Sequence, residues 1–131
     1  MASALTTTLT VTTTIKENRS TTDAVTHTNP NVSVTRTGDA LDARIVDLGT
    51  SEETITLATD VSAAAGWVYI KNHDDTNYIT VGYVAEATTA HGIRINAGES
   101  AAFRIITTAT ALYMKANTAA CIVEVKVWEK K

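Results

Sequence analysis

The chain has 131 residues, of which 44% are hydrophobic and 19% charged, and its formal net charge is -3. This length suits one domain, and the hydrophobic fraction excludes the composition of a disordered protein. The scattered Lys and Arg residues and the short apolar stretches, far below the roughly 20 residues that span a bilayer, predict neither a nucleic-acid nor a membrane partner.

Threonine dominates the composition: it supplies roughly a fifth of the residues, whereas proline occurs once. The β-branched side chains of Thr, Val and Ile fit the pleated surface of a sheet and lose rotamer freedom in a helix. The composition therefore predicts an all-β protein.

The N-terminal segment alternates large apolar residues with threonines, a pattern typical of a half-buried strand. The apolar positions are Leu5, Leu9, Val11 and Ile15. So few large side chains bury little on their own, which makes this segment a candidate for pairing with a neighbouring chain. Residues 16–30 have no periodicity and end in an Asn-Pro turn signal, so we predict an extended loop. Residues 1–30 are thus assigned to an extended N-terminal arm and loop.

From residue 31 to residue 131, short apolar segments follow one another at regular spacing, separated by Gly, Asn, Asp or Ser. The predicted strands are 31–37, 43–48, 54–57, 66–72, 78–83, 92–95, 100–106, 112–116 and 121–128. Residues 60–65 are predicted to form at most one helical turn. A count of eight to ten strands is typical of a β-sandwich of the jelly-roll type.

Two strands allow their faces to be assigned. Segment 66–72 is apolar on both faces, which predicts a central strand. In segment 121–128 the odd positions, from Cys121 to Val127, are predicted to face the core, and Trp128 faces the other way with Glu124 and Lys126. Cys121 is accordingly expected to be a buried structural thiol.

Residues that could carry chemistry are few and dispersed. His27, His73 and His91 show no zinc-ligand spacing, and Ser100 lacks the glycine context of a nucleophile elbow. The carboxylates of Asp74 and Asp75 beside His73 are typical of a turn and lack the pattern of a calcium loop. We therefore predict no enzyme, no catalytic residue, no metal site and no cofactor.

The aromatic residues have two interpretations. Trp67, Tyr78 and Phe103 are predicted to fill the core between two sheets, as aromatic residues in alternating strands usually do. Alternatively, exposed aromatic side chains on one face could stack on sugar rings, as in a carbohydrate-binding module. Trp128, near the chain end, is a candidate contact for a neighbouring subunit.

Several strand-and-turn motifs in the second half of the chain carry a resemblance. These are Trp67-Val68-Tyr69-Ile70-Lys71-Asn72, Asn77-Tyr78-Ile79-Thr80-Val81-Gly82, the turn Asn96-Ala97-Gly98-Glu99, and Leu112-Tyr113-Met114-Lys115-Ala116-Asn117. They span residues 66–128, and this half of the chain resembles small structural proteins of tailed bacteriophage particles.

The resemblance implies a virion component that decorates or cements the capsid shell, with a neck or tail protein as the alternative. It brings no catalytic residues. The expected partners are the major capsid protein or other virion subunits, and we expect a homo-oligomer that is assembled in the host cytoplasm. The candidate partner-binding residues are Leu5, Leu9, Val11, Ile15 and Trp128.

Overall fold

A computed structural model describes residues 7–11, 14–18, 24–28, 32–36, 41–62, 65–85, 92–106 and 108–129. The chain divides into two compact units, Met1–Thr37 and Gly38–Lys131. Strands account for most of the described residues, as the threonine-rich composition predicts, so the protein is all-β.

The described residues of the first unit form four strands that pair as nested antiparallel ladders. Strands β1 (Thr7–Val11) and β4 (Val32–Arg36) form one ladder, and β2 (Thr14–Asn18) and β3 (Ala24–Thr28) form the other. The two strands of each ladder run in opposite directions. We name residues 7–36 the ribbon.

The ribbon corrects the prediction of a loop over residues 16–30, because β2 ends and β3 lies within that range. Charged and polar residues break the apolar alternation there, yet Thr, Val and Ile still favour extended backbone. The two compact units divide after Thr37, and β4, which follows residue 30, pairs with β1. Pro30, which lacks a backbone N–H, falls between the two ladders in sequence.

In the second unit, the part of the chain that the structure describes forms eight strands in two antiparallel four-stranded sheets. Sheet I has the order β10 (Ser100–Arg104), β7 (Ala65–Asn72), β12 (Cys121–Glu129), β5 (Leu41–Leu48). Sheet II has the order β6 (Glu53–Thr56), β11 (Ala111–Ala116), β8 (Ile79–Gly82), β9 (Ile93–Ile95). The predicted strands in this half of the chain are confirmed, with ends that shift by one or two residues, and β7 is central as predicted.

The pairing in this unit is also nested along the chain. The first strand pairs with the last, β5 with β12, and moving inward β6 pairs with β11, β7 with β10, and β8 with β9. Two further ladders, β7 with β12 and β8 with β11, complete the sheets. The unit is therefore a long hairpin of four strand pairs, distributed alternately between the two sheets.

The two sheets share one core of aliphatic side chains. Its fully buried members from sheet I include Val68, Ile70, Val123 and Val125, while Leu112 and Met114 come from sheet II. Cys121 is also completely buried, which confirms the predicted structural thiol. A single helical turn, α1 (Thr59–Ser62), contributes Val61 to the same core.

A charged pair on β5 connects the two sheets. The carboxylate of Asp42 accepts bonds from the guanidinium of Arg44 and, at 2.9 Å, from the backbone N–H of Ala58. Arg44 also donates to the carbonyl oxygen of Thr56, the last residue of β6, at 2.9 Å. These bonds satisfy a 9% exposed carboxylate and fix the end of sheet II against the edge of sheet I.

Candidate functional site

The outer face of sheet I carries an unusual share of apolar and aromatic side chains. On β12, Ile122 is 56% exposed, and on β5 Ile45 is 65% and Leu41 44% exposed. Strand alternation explains their position, because the intervening residues of both strands point to the core. We call this side of the sheet the outer face.

Cross-strand pairing brings Trp128 between two large apolar residues. Trp128 lies opposite Leu41 on one side and opposite Trp67 on the other. Directly opposed residues in antiparallel strands have Cβ atoms about 5 Å apart, so the three side chains are neighbours in a row across the sheet. The predicted outward orientation of Trp128 is confirmed, and the row gives it an apolar setting that its own strand does not reveal.

Trp67 corrects the prediction of an aromatic core. It is half-buried on the outer face, while its neighbour Val68 is completely buried on the inner face. Phe103 packs at the margin of the core, and Tyr78 is half-buried beneath the guanidinium of Arg94, which lies 3.8 Å from the ring centre. No described aromatic residue is fully buried, because the space between the sheets is filled by Val, Ile and Leu.

Cationic side chains cover two of the outer-face rings. The guanidinium carbon of Arg104 lies 5.3 Å from the ring centre of Trp67, and the Lys126 ammonium lies 5.6 Å from that of Tyr69. Both distances are within the range of a cation–π interaction. Trp67 Nε1 is buried and has no acceptor among the residues that the structure describes.

A charged group lies at the middle of the outer face. Lys126 Nζ is 2.6 Å from Glu124 Oε1, and His73 Nε2 is 3.7 Å from Glu124 Oε2. The hydrogen bond from Lys126 lowers the pKa of Glu124, and the same bond raises the pKa of Lys126. Between this pair and β5 lies a shallow depression of about 260 Å³ that includes Ala43 and Ile45. The face thus combines apolar rows with a neutralised charge pair.

Three of the other predicted contact residues belong to the ribbon. Leu9 pairs with Val34, and Val11 with Val32, in the β1–β4 ladder. Ile15 pairs with His27 in the β2–β3 ladder. Leu5 lies outside the described residues.

The turn residues that carry the sequence resemblance meet at one end of the two sheets. Asn72 is completely buried, and its amide nitrogen lies 2.8 Å from the carbonyl oxygen of Asn77 and 3.2 Å from that of Asn96. Asn117 follows β11 at the same end and bonds through its backbone N–H to Tyr78. These residues lock three turns together at this end of the two sheets.

Asp74 closes the loop between β7 and β8. Its carboxylate accepts bonds from the backbone N–H groups of Asn77 and Thr76, which lower the pKa of Asp74. The turn that follows β9 contains Gly98, whose φ of 70° is a conformation that favours glycine. Burial, together with the charge of Asp74, raises the pKa of Cys121.

The histidines are not brought together by any described contact. His73 is exposed beside Glu124, His27 lies on β3, and His91 is outside the described residues. His73, Asp74 and Asp75 line a surface depression of about 410 Å³.

Within the described part of the chain, no group of three or more His, Cys, Asp or Glu residues is arranged to hold a metal ion, and no helix is long and apolar enough to cross a membrane.

Sequence reasoning missed Leu41 and Asn72 as notable residues. The predicted strand began at residue 43, although the alternation of Leu41, Ala43 and Ile45 was visible. Nothing in the sequence separates the buried Asn72 from the exposed asparagines of ordinary turns.

Comparison with protein-family models, with curated proteins and with solved structures finds no match to this chain.

Proposed function

We propose that this protein is a structural subunit of a tailed-phage particle that decorates the capsid shell and stabilises it by binding neighbouring subunits. The observation that carries the proposal is the ribbon, a compact unit separate from the two-sheet unit. The resemblance of residues 66–128 to phage structural proteins supports the same conclusion.

Within the β1–β4 ladder of the ribbon, the register groups four aliphatic positions on one face and four hydroxyl-bearing positions on the other. Cross-strand partners share a face, so the positions of Leu9, Val11, Val32 and Val34 lie together. The alternate positions, Thr8, Thr10, Ser33 and Thr35, form the opposite face. A two-stranded ribbon is marginally stable alone in water, and complete burial of each aliphatic side chain would contribute about 1.5–3 kcal/mol. Its apolar face is therefore suited to docking on a neighbouring subunit, the major capsid protein above all.

The strand order of the two-sheet unit supports a jelly-roll assignment. The eight strands of that unit, β5 to β12, can be numbered from first to eighth along the chain. In this numbering sheet I has the order sixth, third, eighth, first, and sheet II has the order second, seventh, fourth, fifth. A double-length hairpin rolled into two facing sheets has this order, and jelly-roll sandwiches are common in viral capsid proteins. Such a sandwich is a rigid body suited to a particle surface.

The outer face provides a second contact for a neighbouring subunit. Trp128 and Leu41 form an apolar row, and tryptophan is enriched at the centres of protein interfaces. This proposal gives the protein no catalytic activity and no cofactor, and places it in the virion. A neck or tail position would use the same surfaces on different partners.

A carbohydrate-binding module is the second candidate, because jelly rolls also occur in lectins and the aromatic residues of the outer face are not buried. Trp67 and Tyr69 are half-exposed, and Tyr83 is 55% exposed. However, Arg104 and Lys126 already lie over the rings of Trp67 and Tyr69, where a sugar would have to stack. The geometry therefore favours a protein partner.

Binding of the 131-residue chain to phage shells assembled without it tests the proposal. Val11→Asp introduces a charge on the apolar face of the ribbon, and Thr10→Asp introduces the same charge on the other face. Co-sedimentation should show binding of the unaltered chain and of Thr10→Asp, and at least a tenfold loss for Val11→Asp, equivalent to about 1.4 kcal/mol. Equal binding by both variants, or no binding by the unaltered chain, would exclude the proposed role of the ribbon.

A further inference from the structure

Strand β5 forms one edge of sheet I. Its eight residues, Leu41–Leu48, pair without a register shift with Cys121–Trp128 of β12. Among the described residues β12 is its only ladder partner. No described strand pairs with its other side, and an unpaired strand edge can accept another strand.

β5 lacks most of the features that usually protect an edge strand. It contains no lysine and no proline, and its ladder has no bulge. Its outward residues Leu41 and Ile45 are 44% and 65% exposed, and Ala43 between them is exposed as well. Long, regular edges with apolar side chains are the edges at which proteins add strands.

We propose that the protein forms a two-fold homodimer by antiparallel pairing of β5 with β5 of a second copy, with Ala43 at the two-fold axis. In this register Leu41 of each copy lies opposite Ile45 of the other. Asp42 of each copy lies opposite Arg44 of the other. The segment Leu41-Asp42-Ala43-Arg44-Ile45 is thus complementary to itself in polarity, charge and size.

Charge selects this register over its neighbours. Sliding one copy along the other by two residues would keep every side chain on its own face of the sheet. It would, however, place Asp42 opposite Asp42 in one direction, or Arg44 opposite Arg44 in the other. Like charges directly opposite each other destabilise a strand pair, whereas opposite charges stabilise it. A shift that exchanges the faces would put the apolar side chains of one copy beside charged side chains of the other. The register centred on Ala43 avoids both penalties, whereas the registers on either side of it do not.

The pairing would join the two copies of sheet I into one continuous sheet of eight strands. The apolar row Trp67–Trp128–Leu41 would continue into Ile45 of the second copy. A short strand pairing buries less than the roughly 800 Å² per partner of a standard interface, so the dimer should be concentration-dependent in solution. This inference concerns the oligomeric state alone and does not depend on binding to a shell.

Disulfide trapping tests the register. Only a residue on the two-fold axis faces its own copy at the Cβ separation that a disulfide requires. Ala43→Cys should therefore form a covalent dimer under mild oxidation. In Ile45→Cys the two introduced thiols would be separated by about 13 Å along the strands, so it should remain largely monomeric. Equal trapping of both variants, or none of Ala43→Cys, would overturn the proposal.

A complementation experiment tests the same contact without a covalent bond. Leu41→Lys and Ile45→Glu should each lower dimer formation at least tenfold in sedimentation velocity runs, because each places a charge opposite an apolar residue. An equimolar mixture should restore a heterodimer, since the introduced lysine then faces the introduced glutamate.

The matched control is Ile106→Glu, which changes a 56% exposed isoleucine beyond the end of β10, the opposite edge strand of sheet I. It should leave dimer formation unchanged. If the mixture fails to associate, or if Ile106→Glu impairs association as much as Ile45→Glu, the β5 interface is excluded.

Discussion

The amide nitrogen of Asn72, a completely buried residue, lies 2.8 Å from the carbonyl oxygen of Asn77 and so closes the loop that follows β7. Asn72 Oδ1 also accepts the backbone N–H of Asp74 at 3.0 Å. Truncation of this side chain would remove bonds to three backbone groups, the carbonyl oxygens of Asn77 and Asn96 and the N–H of Asp74.

Asn72→Ala should therefore lower the free energy of unfolding by about 2–4 kcal/mol, because each of these lost hydrogen bonds contributes about 0.5–1.5 kcal/mol. Chemical denaturation followed by circular dichroism measures this change. The matched control is Asn117→Ala, an exposed asparagine at the same end, which should change stability by at most about 0.5 kcal/mol. Similar losses for the two variants would show that Asn72 has no special role.

The carboxylate of Asp42 makes the stability of the protein depend on pH. Burial by itself would raise its pKa, but the bonds from Arg44 and from the Ala58 N–H outweigh burial and lower the pKa. A carboxyl group whose pKa is lower in the folded state stabilises the fold above its unfolded pKa of about 3.9, and this contribution is lost as the pH falls through the folded value.

Asp42→Asn should cost about 1.5–3 kcal/mol of stability at neutral pH, in line with hydrogen bonds to charged groups. The difference from the unaltered protein should shrink as the pH falls below about 4, and urea denaturation at several pH values measures it. Asp47→Asn, at an exposed position of the same strand, should be nearly neutral. A difference that is independent of pH would contradict the role given to the Asp42 charge.

The thiol of Cys121 should be inert in the folded protein. The side chain is completely buried, and burial raises the pKa of the thiol, so little reactive thiolate is present and a reagent cannot reach it. Labelling with an aromatic disulfide reagent should be at least a hundredfold slower in the native protein than in denaturant. Rapid labelling of the native protein would show that the end of β12 opens readily.

The outer face should contribute to shell binding independently of the ribbon. Trp128→Ala removes the centre of its apolar row and should weaken shell binding by at least tenfold, or about 1.4 kcal/mol. Tyr83→Ala removes a 55% exposed aromatic residue that lies outside sheet I and serves as the control. Equal affinities of the two variants in a co-sedimentation titration would remove the outer face from the binding surface.

Sequence periodicity predicted the strands of the two-sheet unit well, because polar turns separate short apolar segments there. It could not decide which face of β7 is internal, since Trp67 and Tyr69 alternate with Val68 and Ile70 and both faces are apolar. The structure places the smaller side chains between the sheets. Sequence periodicity could not predict β3 either. A strand in a two-stranded ribbon needs no alternation of apolar and polar residues, because extended backbone and a pairing partner are sufficient.

The candidate surfaces were predictable in part. The orientation of Trp128 follows from alternation along β12, but its neighbours Leu41 and Trp67 come from distant segments and depend on strand order. The self-complementary segment of β5 is visible in the sequence only once that strand is known to be an edge. Sequence patterns constrain each strand, whereas pairing between strands determines the surfaces.

Cryo-electron microscopy of particles assembled with this chain tests the central claim most directly. The account predicts density for the two-sheet unit on the outside of the shell, with the ribbon of residues 7–36 lying against a neighbouring subunit and its Leu9 and Val11 face buried in that contact. Particles without density for this chain, or a ribbon whose apolar face contacts nothing beyond its own chain, would contradict the account.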